Sequence, residues 1–426
     1  MAAMSFLNGW IRRFRNSTLL RRMGTLTTGT MLGQAIQLVN LVVLAKFYPL
    51  SDVGIFSVFF AVVGTLTSAA MLGYEMLVPA VPEEDIRPFL KSVAVLPIAT
   101  ALLFSAVAYL AGYEHWAAVA PWIAGAAIQR LGEMYNVRLN LFGRVALARL
   151  LPALLMSGIL ATFIVAKGTM ANMIAWQSHL VFVLGLFYAA FSLPLKALAT
   201  RDPWRTMVRT LRDASSAPLF LMPSNVLNLI AYNVPVVVIN KWFGPDLAAQ
   251  YAYVLRFGFG PVSLIGGTLY QVFYGLLTEA ARSKNSALFD QFMRARRMVL
   301  YAALAAAVGI AVAYPIGFRL FLGPQWMTAG WISMIFAPFF GTMIYLTPLS
   351  VSLNTFNRQF YELKTQIHYF LISAFSFGAA IALHNSWVGF ALFSGLGCLR
   401  YAALLRDINQ ILIENKVVTD VGGQTA

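Results

Sequence analysis

Runs of apolar residues long enough to cross a bilayer alternate with short polar connections along the whole chain. About 20 helical residues are needed to cross a hydrocarbon core of about 30 Å. Twelve runs meet that length, at 24–45, 53–80, 92–112, 117–139, 145–166 and 171–193, then 216–240, 247–277, 298–320, 326–353, 366–384 and 387–408. We number them spans 1 to 12. The longest polar interruption is the basic segment from Pro194 to Asp213, which divides two apolar halves. The pattern predicts an all-α polytopic membrane protein of about twelve transmembrane helices. Residues 1–193 form an N-terminal lobe, 194–213 a cytoplasmic linker and 214–426 a C-terminal lobe.

The halves read as copies of one another. A shift of 195 residues lays Lys46-Phe47-Tyr48-Pro49-Leu50 over Lys241-Trp242-Phe243-Gly244-Pro245, and Phe56 over Tyr251. In both, an apolar helix ends in a Lys and aromatic residues, a Pro-containing turn follows, and a new apolar helix begins. The shift is about half the chain, as a duplicated six-helix bundle requires.

Composition agrees with a bilayer environment, since 59% of residues are hydrophobic and only 11% charged. The net charge of +15 raises nucleic acid as a partner, and the placement of the basic residues argues against it. With the N-terminus in the cytoplasm, and with basic residues near a span's end counted with the adjoining connection, the inner segments hold 25 Lys and Arg and the outer loops 4, leaving Arg130 and Arg256 deeper within spans. Such a bias places both termini inside and makes anionic headgroups the natural neighbours of the basic loops. Span 1 is followed almost at once by span 2 and reads as a true span, not a cleavable leader. Ahead of it, Leu7, Trp10, Ile11 and Phe14 share a helical face, which fits an interfacial segment or a basic tail that only sets topology. A single cysteine, Cys398, and four scattered histidines offer no metal or redox site, and no cofactor is expected. The outer loops are too short for a catalytic domain, and the chain is not expected to be an enzyme.

Polar residues inside the spans carry the candidate chemistry. Span 1 has Thr27, Thr30, Gln34, Gln37 and Asn40 within about 140° of one another at 100° per residue. Span 7, 195 residues on, presents Asn225, Asn228 and Tyr232 at corresponding positions. Span 4 carries Gln129, Arg130, Glu133, Asn136 and Asn140, with Arg130 and Glu133 close enough in sequence to pair. Arg256 lies near mid-depth in span 8, with Ala249, Ala252, Ser263 and Gly267 on its face. Such groups either tie helices together or line a hydrated cavity. Their alignment in both halves favours the lining. Glu75, near the predicted inner end of span 2, reads as solvated.

Three stretches resemble the polysaccharide transporter family. They are Gly29-Thr-Met-Leu-Gly33-Gln34, Ala45-Lys-Phe-Tyr-Pro-Leu-Ser-Asp-Val-Gly-Ile-Phe56, and Tyr251-Ala-Tyr-Val-Leu-Arg-Phe-Gly-Phe-Gly-Pro261. That family contains bacterial flippases for lipid-linked oligosaccharides and shares a superfamily with multidrug extruders and lipid II flippases. The resemblance implies two six-helix lobes around a central cavity and alternating access. It also implies an inner-membrane protein that passes a polyprenyl-pyrophosphate-linked oligosaccharide outward for lipopolysaccharide or exopolysaccharide synthesis, beside a polysaccharide polymerase complex. The substrate-binding residues expected are Thr30, Gln34, Gln37, Asn40, Arg130, Glu133, Asn225, Asn228, Tyr232 and Arg256. The alternatives are a cation-coupled extruder, for which span 1 lacks the expected acidic residue, and a membrane polymerase or ligase, for which the outer loops lack catalytic groups. A non-transporting scaffold would leave the polar stripes without a role.

Overall fold

The computed structural model of the protein describes residues 18–195, 203–215, 217–283, 286–356, 358 and 360–423. The amphipathic stretch before residue 17 and residues 196–202 of the linker lie outside them. All regular structure among the described residues is helical.

The helices are α1 (Thr18–Phe47), α2 (Leu50–Ala69), α3 (Ile86–Leu110), α4 (Trp116–Arg138), α5 (Phe142–Val165) and α6 (Met170–Ser192). A short linker helix, Trp204–Asp213, precedes α7 (Met222–Phe243), α8 (Pro245–Ser283), α9 (Ser286–Gly317), α10 (Met327–Leu349), α11 (Phe360–Ala382) and α12 (Ser386–Gly423). Among the described residues, ten helices are long and apolar enough to cross a membrane. The other two of the twelve, α4 (23 residues) and α8 (39 residues), have the length but carry Gln129, Arg130 and Glu133 in one and Arg256 in the other. The chain is an all-α polytopic membrane protein.

The junction between α1 and α2 recurs at α7 and α8 as the shifted sequence indicates. α2 begins at Leu50 after Pro49 and α8 at Pro245 after Gly244, 195 residues apart. Proline fits the first turn of a helix because the amide it lacks would have no intrahelical partner there. Gly244 adopts φ 95°, a conformation that favours glycine.

Two compact units result. One comprises the chain through Phe47 together with Val62–Val226, the other Tyr48–Ala61 together with Leu227 onward. In the first, α4 packs along α6 and α1 along α5. Small residues allow the close approach: a Cβ on Gly125 would meet the Val181 carbonyl, and one on Gly33 would lie 3.0 Å from the Arg149 carbonyl oxygen. The second unit is built around an aromatic core in which Tyr251, Phe336, Phe377, Phe390 and Phe393 contact one another.

Span 2 is shorter than its apolar run. α2 stops at Ala69, and Leu72 and Gly73 take φ of 53° and 78°. A 3-10 turn, Tyr74–Leu77, then packs at the segment leading into α7, where a Cβ on Gly73 would lie 3.2 Å from both Ala217 O and Met222 N. The reversal carries Glu75 off the spanning helix.

Candidate functional site

In the first unit the polar face of α4 is turned onto α5 and α6. Gln129 Nε2 donates to Glu133 Oε1 at 3.1 Å and to the Ala148 carbonyl at 2.8 Å. Arg149, about two turns into α5, has its Nε 3.6 Å from Glu133 Oε2 and donates from Nη1 to Thr30 Oγ1 of α1 at 2.9 Å. Asn136 Nδ2 donates to Tyr188 Oη at 2.8 Å and Ser192 Oγ at 2.7 Å, both of α6. Tyr188 Oη donates to the Arg144 carbonyl at 3.1 Å. Two sets of bonds result: a charge-assisted one through Gln129, Glu133, Arg149 and Thr30 ties α4 to α5 and α1, and a neutral one through Asn136, Tyr188 and Ser192 ties α4 to α6 and α5.

Glu133 therefore pairs with Arg149 and not with Arg130, although the spacing of Arg130 and Glu133 puts them within reach of each other. At 100° per residue, Arg130 lies about 60° round α4 from Glu133 and about 120° from Asn136, off the edge facing α5. Its side chain is exposed, whereas Glu133 and Asn136 are buried. The carboxylate that feels Arg130 is Glu75. The helix 1 stripe divides similarly. Asn40 Nδ2 donates to the Ala153 carbonyl at 3.2 Å and its Oδ1 accepts from Ser157 Oγ at 2.8 Å, so Asn40 and Thr30 join α1 to α5. Gln37 is exposed, and Gln34 is half-buried with an Oε1 that has no hydrogen-bond partner.

Glu75, expected to be solvated, is 7% exposed, and its Oε2 has no partner. Burial raises its carboxyl above the usual range, opposed by a backbone hydrogen bond and by Arg130. A carboxyl whose proton is held more tightly in the fold than in the unfolded chain costs stability as pH climbs through and past the ordinary value near 4.5. Glu75→Gln is therefore expected to raise the melting temperature at about pH 8 and to change it little near pH 4. A thermal-shift series across that range checks this; a loss of stability at pH 8 would contradict it.

In the second unit the polar residues of α7 meet α11 and α12. Asn228 Nδ2 donates to Gln366 Oε1 at 2.7 Å, and Ser373 Oγ to the Ala231 carbonyl at 2.8 Å. Tyr232 is buried at 7% exposure among Phe259, Phe339, Tyr369 and Phe393, and Tyr401 of α12 packs on Phe339 and Tyr369 of the same cluster. Arg400 Nη2 donates to Thr365 Oγ1 at 2.6 Å. Asn225, assigned to the first unit, donates to Met76 Sδ at 3.4 Å.

Arg256 sits differently. Eleven residues from the start of α8, it lies about 16 Å along the helix, a length about half that of a core about 30 Å thick. Its guanidinium is 4.9 Å from the Phe60 ring centroid and 6.0 Å from that of Phe56, and it makes no ion pair among the described residues. Ala249 and Ala252 on its face are fully packed, while nothing lies within 4 Å of a Cβ built on Gly267. Further along that face, Tyr270 and Tyr274 stack in parallel at 6.3 Å, and Tyr270 Oη accepts from Asn354. Sequence reasoning passed over Arg149, Gln366, Tyr401 and the two stacked tyrosines. For the tyrosines a signal existed, since 256, 270 and 274 fall within about 40° of one another on a helical wheel.

No protein-family model and no curated protein matches the sequence. Solved structures do match, at low identity and nearly full length. A multidrug resistance MATE family transporter of the MOP superfamily, in an inward-facing conformation, is similar at 15% identity and a TM-score of 0.64, over 96% of this chain and 100% of that one. The lipid II flippase MurJ, in an inward closed conformation, is similar at 14% identity and a TM-score of 0.62, over 94% and 92%. A eukaryotic MATE transporter, AtDTX14, is similar at 13% identity and a TM-score of 0.51. The chain thus has the fold that MATE transporters and MurJ share.

Proposed function

We propose that this protein is a flippase that carries a polyprenyl-pyrophosphate-linked oligosaccharide from the cytoplasmic to the outer leaflet of a bacterial inner membrane, without a covalent step. The observation that carries the reading is Arg256: a guanidinium about 16 Å along α8, held over two phenylalanine rings and making no ion pair among the described residues. A half-buried cation with no ion pair among the described residues repels cationic drugs and favours an anion, and its planar fork matches phosphate oxygens. Tyr270 and Tyr274 on the same face of α8 offer flat, amphipathic surfaces suited to sugar rings. Gln34, Gln37 and Arg130 are the remaining polar candidates not absorbed into helix packing. Termini in the cytoplasm, as the 25 against 4 distribution of basic residues indicates, would place the linker and the α8–α9 connection on the side where substrate is loaded. The fold alone serves a multidrug extruder equally well.

Deleting the gene is expected to leave lipid-linked repeat units on the cytoplasmic leaflet and to abolish surface polymer. Normal polymer together with raised sensitivity to cationic drugs would instead establish the extruder.

A further inference from the structure

In the second unit, α9, α10 and α12 border an open groove of about 480 Å³. Leu300, Leu304 and Val308 of α9, Pro338 and Gly341 of α10 and Leu405 of α12 line it. Thr342, also in the lining, turns its hydroxyl back to the Pro338 carbonyl of its own helix at 2.6 Å, so the walls present hydrocarbon. One end is different. Tyr345 closes it, and Arg296, one turn before Leu300, donates from Nε to Tyr345 Oη at 2.8 Å. Using Nε in this way leaves the Nη edge of the fork for another acceptor. Arg294 and Arg297, in the same turns of α9, are exposed.

We infer that this groove holds one acyl chain of an anionic glycerophospholipid whose phosphate sits at Arg296. An apolar channel with a guanidinium at one mouth complements a molecule with a hydrocarbon tail and an anionic head. Depth selects which molecule. From Leu300 to Ala311 the α9 wall rises about 16 Å, half of a core about 30 Å thick, so the groove accommodates a chain confined to one leaflet. An isoprenoid tail long enough to extend past the midplane has no continuing wall here. The basic end is the end of the α8–α9 connection, one of the Arg-rich segments that the charge bias assigns to the cytoplasmic side, where anionic lipids are concentrated. The bound lipid would supply the packing between α9 and α12 that side chains leave open.

The test uses the purified full-length protein, delipidated in a nonionic detergent and titrated with phosphatidylglycerol or phosphatidylcholine of the same acyl length, with adducts counted by native mass spectrometry. The wild type is expected to hold one phosphatidylglycerol about tenfold more tightly than phosphatidylcholine, the scale of a charge-assisted hydrogen bond. Arg296→Gln should erase that preference while still binding both lipids weakly. Val308→Trp, on the exposed rim, should weaken both, and Leu304→Trp replaces it if that variant is not recovered. Equal affinity for the two lipids in the wild type, or an undiminished preference in Arg296→Gln, overturns the inference. So does displacement of phosphatidylglycerol by an equal concentration of a polyprenyl phosphate, which would assign the groove to the substrate's tail.

Discussion

Replacing Arg256 by Ala is expected to lower translocation about 100-fold or more while leaving the protein inserted and folded. The two parts of that expectation have separate causes. A guanidinium in mid-membrane costs about 2.5 to 3.5 kcal/mol on insertion scales, and its removal relieves that cost. Against it stands the loss of cation–π contact with Phe60 and Phe56, about 0.5 to 2 kcal/mol in total, so the balance does not favour unfolding. No ion pair or hydrogen-bonded partner is orphaned, because none is present among the described residues. Transport is another matter if the fork binds the pyrophosphate as it crosses, since bidentate charge-assisted bonds contribute roughly 3 kcal/mol. Arg256→Lys should recover part of the activity, charge being kept while the fork is lost. Leaflet-resolved assay of the lipid-linked oligosaccharide, with membrane abundance measured alongside, decides between the two roles. Full polymer export by a stably inserted Arg256→Ala protein would remove Arg256 from the mechanism. Disappearance of the protein from the membrane would make it structural.

Helix number and the internal repeat were legible because each depends on the length of an apolar run or on a turn residue. Leu50 and Pro245 start their helices 195 residues apart, as the shifted sequences indicate. The end of α2 was not legible, since Leu77 and Val78 keep the run apolar although Leu72 and Gly73 reverse the chain before them. That single turn changes Glu75 from a solvated helix end to a buried carboxyl.

Partner choice was the other blind spot. Periodicity shows that Gln129, Glu133 and Asn136 share a face, but not which helix that face meets. Counting charges by loop assigned Arg149 and Arg400 to the basic connections, because each lies within a few turns of a helix end. The structure places both inside helices, where Arg149 takes Glu133 and Thr30, and Arg400 takes Thr365. Long basic side chains reach a full turn, and their guanidinium groups satisfy polar atoms that the sequence alone would leave to water or substrate.

The Arg149–Glu133 pair yields the largest expected effect on stability. Arg149→Met should destabilise the protein by about 3 kcal/mol, the lower end of the range for removing one partner of a buried pair. The lower end applies because the Arg149 side chain is 35% exposed and the Glu133 side chain 7%, so the pair is enclosed on one side only. What costs is the carboxylate left behind: Gln129 remains as a donor to Oε1, but Oε2 loses its cation and Thr30 Oγ1 loses its donor. Arg149→Met combined with Glu133→Leu removes both charges and keeps apolar volume, and should recover most of the loss. Denaturant or thermal titration of the four proteins in one detergent gives the coupling free energy. A double variant as unstable as the sum of the two single ones would show that the groups stabilise the bundle independently, and that the bond to Thr30, not the ion pair, holds α5 to its neighbours.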